Sequence, residues 1–117
     1  SADDIIQGYQ KADDAIFAAC GHDPQYVRPP FGSMSELYNK TVDRESILWS
    51  IDTRDWESHN PASIRSIIDT YVADGSVILM HDIHSESVDS MDAILAELQE
   101  KGYQFVTIDD LFKYGKI

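Results

Sequence analysis

Cysteine occurs once in the 117 residues, at Cys20, so no disulfide within the chain holds the fold, and cysteine usage carries no compartment signal. Basic residues are scarce as well: nine Lys and Arg stand against 21 Asp and Glu, a net charge of −12. Nucleic acid and anionic membrane surfaces attract basic patches, so neither is an expected partner. No apolar run is long enough to cross a bilayer, which predicts no membrane contact by these residues. The first residues lack a basic segment followed by an apolar one, so no signal peptide is expected among them. A glycine-rich phosphate loop is absent, and so is a Gly-x-Ser-x-Gly elbow; Ser33 after Phe31-Gly32 is therefore a poor nucleophile candidate. What survives these exclusions is compatible with a neutral or cationic substrate.

What is present alternates between two periods. Ser1-Ala2-Asp3-Asp4 forms a variant capping box. Ile5, Tyr9, Ala12, Ile16 and Cys20 then recur at helical spacing, and Gly21 supplies the stop. On that stripe Cys20 is expected to be a buried small hydrophobe rather than a nucleophile. Tyr26-Val27 opens an extended segment into Arg28-Pro29-Pro30-Phe31-Gly32, and a weaker helix is predicted from Met34 to Lys40. Ile47 to Ile51 reads as a second strand, ending in Asp52-Thr53-Arg54-Asp55-Trp56. Asn60-Pro61 starts a helix with the stripe Ile64, Ile67, Ile68, Tyr71 and Val72, closed by Asp74-Gly75. Ser76 to Met80 is a short apolar run of the kind buried on both faces in a parallel sheet. Val88, Met91, Ile94, Leu95 and Leu98 mark the next helix, Tyr103 to Val106 a fourth strand, and Thr107 caps a last helix to about Lys113.

Strands alternating with helices predict an α/β fold with a parallel sheet and helical crossovers. Four parallel strands would leave two open edges, and a closed (β/α) barrel needs about twice that number. The expectation is a single C-terminal part of a distorted (β/α) barrel, with further strands upstream.

In such folds chemistry collects beyond the C-terminal ends of the strands. Arg28 and two prolines follow the first predicted strand; Asp52, Asp55 and Trp56 follow the second; His81, Asp82 and His84 follow the third. Proline after Arg28 holds that residue extended, and the first free backbone N–H beyond it is that of Phe31. A rigid turn of this kind can aim one amide at a developing oxyanion, or can be an ordinary loop with Arg28 in a structural ion pair. Asp52 and Asp55 can bond backbone amides of a turn or serve chemistry. Trp56 fits a core or the exposed wall of a sugar groove, while Arg54 and His59 are expected at the surface. A spacing of three along a strand puts His81 and His84 on opposite faces, so they do not read as a metal pair. His84 is expected to be a loop residue bonded to backbone. His81, beside a carboxylate such as Asp55, suits a general acid near neutral pH.

Arg28-Pro29-Pro30-Phe31-Gly32, then Asp52-x-x-Asp55-Trp56, then Leu79-Met80-His81 resemble, in order and separation, the third to fifth motifs of the polysaccharide deacetylases of carbohydrate esterase family 4, the NodB-homology enzymes. Leu79 to His84, with Tyr103 to Thr107 after it, looks most like peptidoglycan N-acetylglucosamine deacetylases of Gram-positive bacteria. The resemblance implies a barrel with a divalent metal, zinc or a similar ion, and hydrolysis of the acetamide on a cell-wall glycan outside the cell or at its surface. It implies that Arg28 fixes a catalytic-base aspartate, the Phe31 amide serves an oxyanion hole, Asp55 tunes His81, and His81 protonates the leaving amine. Leu79 would line the acetyl pocket, with Trp56 and Pro30 on the substrate side. Phe31 stands where the family often has tyrosine. The first motif (Thr-Phe-Asp-Asp-Gly) and the second (His-Ser/Thr-x-x-His) are not in these residues. The resemblance therefore assigns the base and the metal ligands to an N-terminal half acting as partner, and none to this chain. The rival expectations are a non-catalytic glycan-binding or structural barrel with a dead metal site, and a deacetylase of chitin or acetylxylan.

Overall fold

The computed structural model describes residues 1–114. The chain divides into two compact units, Ser1–Leu48 and a second that begins at Trp49.

In the first unit, helix α1 (Ala2–Cys20) begins as its sequence dictates. The Ser1 hydroxyl accepts from the Asp4 N–H while the Asp4 carboxylate takes the Ser1 hydroxyl and amino groups, and Gly21 ends the helix at φ 78°. Strand β1 (Tyr26–Val27) pairs in parallel with β2 (Glu45–Ser46), Tyr26 facing Glu45 and Val27 facing Ser46. Helix α2 (Glu36–Thr41) starts two residues later than Met34 because Ser35 is the cap, its Oγ accepting from the Tyr38 N–H at 3.1 Å. Tyr38 is buried, donates to or accepts from Ser46 Oγ at 2.7 Å, and packs edge-on against Tyr9. Arg44 grips Asp13 with two nitrogens, one at 2.9 Å, a paired geometry that locks the loop before β2 onto α1. The expectation of a buried Cys20 is corrected: it is exposed, with Sγ 3.7 Å from the His22 carbonyl. No residue of α1 is buried, and Ile16 and Phe17 on the same stripe are exposed too.

In the second unit, β3 (Ile51–Asp52) pairs in parallel with β4 (Ile78–Leu79), Ile51 facing Ile78 and Asp52 facing Leu79. Two helices pack behind them. Helix α4 (Pro61–Tyr71) is capped by Asn60, whose Oδ1 accepts from the N–H of Ala62 and Ser63, with Pro61 in the first turn. Helix α5 (Ser85–Glu100) closes through Gly102 at φ 93°, whose N–H reaches the Gln99 carbonyl while that of Tyr103 reaches Leu98. Ile64 and Ile68 of α4 and Ile94 and Leu98 of α5 form the core, with Val72, Ile78, Met80 and Tyr103 against it. Two short elements complete the unit, α3 (Asp55–Ser58) and α6 (Ile108–Tyr114), with Thr107 Oγ1 accepting from the Asp110 N–H as cap of the latter.

Four sequence expectations are corrected. The predicted strand Ile47–Ile51 is strand only at Ile51, where β3 begins, because the chain leaves β1 after Ile47 and takes up Val77 from Ser50 onward. Residues 103–106 form no strand: the Tyr103 N–H is used to cap α5, and Phe105 and Val106 are exposed. Helix α4 stops at Tyr71, which is exposed, and Gly75 turns the chain at φ 86°. On α5, Val88 and Met91 are exposed, and Ser87 and Ser90 take the inward positions. Parallel pairing and alternating helices are as expected of an α/β chain, and closure into a barrel is not seen among the described residues.

Candidate active site

The densest polar arrangement in the second unit forms where β3 and β4 end. Asp52 starts it: its Oδ1 accepts from the Arg54 N–H at 2.9 Å, a turn that brings the chain sharply into α3. Arg54 and His59, at either end of α3, adopt left-handed backbone at φ 53° and 46°, a conformation that carries strain for side chains with a Cβ. The result points Asp55 inward, at 0 % exposure.

Both oxygens of the Asp55 carboxylate are fully engaged. Oδ1 accepts from the Trp56 N–H at 2.9 Å and from His81 Nδ1 at 2.8 Å. Oδ2 accepts from the His81 N–H at 2.6 Å and from the Ser87 hydroxyl at 2.6 Å. Burial pushes the Asp55 carboxyl up, but the bonds from Ser87 and from the ring and backbone of His81 outweigh it and hold the pKa below its ordinary 3.8. An ionised carboxylate only accepts, so Nδ1 of His81 carries a hydrogen and Nε2 is the nitrogen that can take up or release a proton. The His81 side chain is 37 % exposed where its partner is sealed. This is an oriented imidazole with one working nitrogen, fit for general acid or base chemistry.

Leu79 is buried in β4, and its carbonyl accepts from the Thr53 hydroxyl at 2.8 Å, which ties the two strand ends together. Trp56 is 47 % exposed, with the Arg54 guanidinium 5.5 Å from its ring centre, and Arg54 also pairs with Glu57. Trp56 is therefore not a core residue. His84 is the N-cap of α5, its carbonyl accepting from the Ser87 and Val88 N–H groups without a side-chain cap bond. Its ring additionally sits 4.8 Å from that of His59 and 6.0 Å from that of His81. His59 is exposed, with Nδ1 3.6 Å from Glu86.

In the first unit, Arg28 is exposed and forms no ion pair among the described residues. Pro29 is buried and Pro30 exposed. The turn that follows, Pro30–Gly32, is closed by Gly32 N–H to Pro29 at 3.0 Å and Ser33 N–H to Pro30 at 3.1 Å. Neither bond uses the Phe31 N–H. Phe31 itself is held at φ 59° with its side chain 101 % exposed, so its part in the turn is played by backbone.

No three His, Cys, Asp or Glu side chains converge as a metal site among the described residues. These residues by themselves do not fit the divalent ion that the resemblance implies. Ser87 and Thr53 were not singled out from the sequence. Stepping back from Ile94 by four and by seven residues lands on Ser90 and Ser87, so the core-facing register of α5 was the available signal for Ser87.

No family model matches the chain. A peptidoglycan-N-acetylglucosamine deacetylase, PgdA of Listeria monocytogenes, is 34 % identical over 112 residues, 96 % of this chain and 24 % of that protein. PdaC of Bacillus subtilis, a peptidoglycan-N-acetylmuramic acid deacetylase, is 32 % identical over 116 residues, 99 % of this chain and 25 % of that protein. The solved structure of PdaC superposes with a TM-score of 0.91 at 31 % identity, covering 97 % of this chain and 56 % of that one. A pseudoenzyme of the same family from Bacillus anthracis superposes at 0.83 with 29 % identity, covering 95 % of this chain and 40 % of that one. The chain thus spans about a quarter of the length of these two curated relatives. On this likeness in sequence and fold, it belongs to the polysaccharide deacetylases of carbohydrate esterase family 4.

Proposed function

We propose that the chain is the part of a cell-wall deacetylase that supplies the proton to the leaving group, acting outside the cell or at its surface on the acetamide of N-acetylglucosamine residues in peptidoglycan. The observation that carries this is the His81–Asp55 pair: a buried, ionised carboxylate holds Nδ1 of an imidazole whose side chain is 37 % exposed, which leaves Nε2 as the nitrogen that can exchange a proton. In the reaction a water oxygen attacks the acetamide carbonyl carbon, the C–N bond breaks, and the sugar nitrogen leaves with the proton of His81 Nε2 while acetate is released. A carboxylate outside these residues takes the proton of the water. Protonation of this kind is worth about 10²–10⁴ in rate, because an amide anion is a very poor leaving group.

For the first unit, the Phe31 N–H is proposed as an oxyanion donor, supported by a turn whose own hydrogen bonds leave it unused. Arg28 is proposed to steady the base, supported by its exposed guanidinium without an ion pair among the described residues. Pro30, Trp56 and Leu79 are proposed to contact the glycan and its acetyl group. The divalent ion, zinc or a similar one, is proposed to be held by an N-terminal half of the same domain. Peptidoglycan is favoured over chitin or acetylxylan by the relatives named above.

The likeness to a family pseudoenzyme favours a second reading, a glycan-binding domain without turnover. Acetate release from N-acetylglucosamine oligomers by the full-length protein separates the two. Release that stops on chelation and returns with zinc is expected; glycan binding with no release in either state would overturn the enzyme reading.

A further inference from the structure

We infer that Ser87 is a positioning residue, the third member of a Ser87–Asp55–His81 relay that fixes which way the imidazole presents its working nitrogen. The inference deepens the proposed function above and rests on it for its kinetic consequence alone. Ser87 is 2 % exposed on the inward face of α5, a place where the neighbouring turns put Ile94 and Leu98. A hydroxyl at an apolar-facing position is unfavourable unless it is hydrogen-bonded, and this one has its partner in Asp55 Oδ2 at 2.6 Å.

The division of labour on the carboxylate gives that bond a purpose. Oδ2 is filled by Ser87 and by the His81 backbone, so the carboxylate cannot rotate to offer Oδ2 to the ring. Oδ1 takes Nδ1 together with the Trp56 N–H. Without the Ser87 hydroxyl, Oδ2 keeps one donor, and only two backbone N–H groups and the ring itself hold the carboxylate in place. Ser87 is itself held, since the Ser90 hydroxyl, also 2 % exposed, donates to the Ser87 carbonyl at 2.8 Å. On the opposite side Thr53, fully buried, ties the Leu79 carbonyl two residues before His81. The imidazole is thereby clamped through its backbone by β4 and through its ring by a helix.

The test uses the full-length protein and variants Ser87→Ala, Ser87→Thr and Ser87→Cys. The first readout is the proton NMR resonance of His81 Nδ1–H, visible in wild type because the hydrogen is held against Asp55. Ser87→Ala is expected to broaden or lose it, and Ser87→Thr to restore it. The second readout is kinetic: Ser87→Ala is expected to lower kcat about tenfold, the loss of one charge-assisted hydrogen bond, with KM within about twofold. Should Ser87→Ala fail to fold, Ser87→Cys, which keeps the volume and donates weakly, is expected to show the same two changes. A Nδ1–H resonance and kcat unaltered in whichever of Ser87→Ala and Ser87→Cys folds would overturn the inference. If the wild-type protein releases no acetate, the resonance still decides the relay while the functional reading falls separately.

Discussion

Asp55 is a charge that the fold has buried and then surrounded with donors. Removing one partner from such an arrangement leaves the others unpaired, so Asp55→Asn, with one acceptor oxygen in place of two, is expected to destabilise the protein by about 3–5 kcal/mol in a urea titration at neutral pH. The pH dependence has a definite sign. The folded pKa lies below the ordinary 3.8, so the unfolded chain binds this proton more readily. The stability it contributes is present above about pH 4 and is lost as pH falls through the lower, folded value. Stability measured against pH is expected to slope downward below about pH 4 in wild type, and less steeply in Asp55→Asn. At this scale the sequence was legible where a residue's own type announced its chemistry, as with His81 and Asp55. It was silent where the role comes from register: Ser87 looks like any helical serine until its neighbours Ile94 and Leu98 show which way it faces.

Among the elements, the helices were legible, and so were the strands at Tyr26–Val27 and Ile78–Leu79, while the other two predicted strands were not. Caps are local, and Ser1, Gly21, Asn60 and Gly102 each made the hydrogen bonds their types predict. A strand exists only through its partner, so the run at Ile47–Ile51 is strand only at Ile51, where its partner changes, and Tyr103 to Val106 found none. Asn60→Ala is expected to cost about 1 kcal/mol, since its side chain caps two backbone amides of α4. Ile64→Ala, at 0 % exposure in the α4–α5 core, is expected to cost about 2–5 kcal/mol. Chemical denaturation of the two variants checks both, and a core substitution cheaper than the cap would contradict the packing described. The left-handed residues that bracket α3 could not be foreseen, because arginine and histidine do not advertise positive φ as glycine does.

For the whole molecule, the described strands stand in two-stranded pairs, and Ile6, Phe17, Leu37, Phe105 and Val106 are exposed. Open edges and bare apolar side chains favour association. The 117 residues expressed alone are expected to aggregate or to melt without cooperativity, and to become soluble when co-expressed with the proposed N-terminal half. A sharp monomeric transition by calorimetry would contradict that expectation. The excess of acid over base, a net charge of −12, is consistent with an uncharged glycan as partner and gives no foothold for nucleic acid.

If His81 protonates the departing nitrogen as proposed, the cost of removing it depends on how much the leaving group needs that proton. In the full-length protein, kcat/KM of wild type and His81→Ala is compared on an N-acetylglucosamine oligomer and on 4-nitrophenyl acetate, whose leaving group departs as an anion. A loss of about 10²–10⁴ is expected on the amide and a far smaller one on the ester. Equal losses on both substrates, or no loss on the amide, would contradict this role of His81.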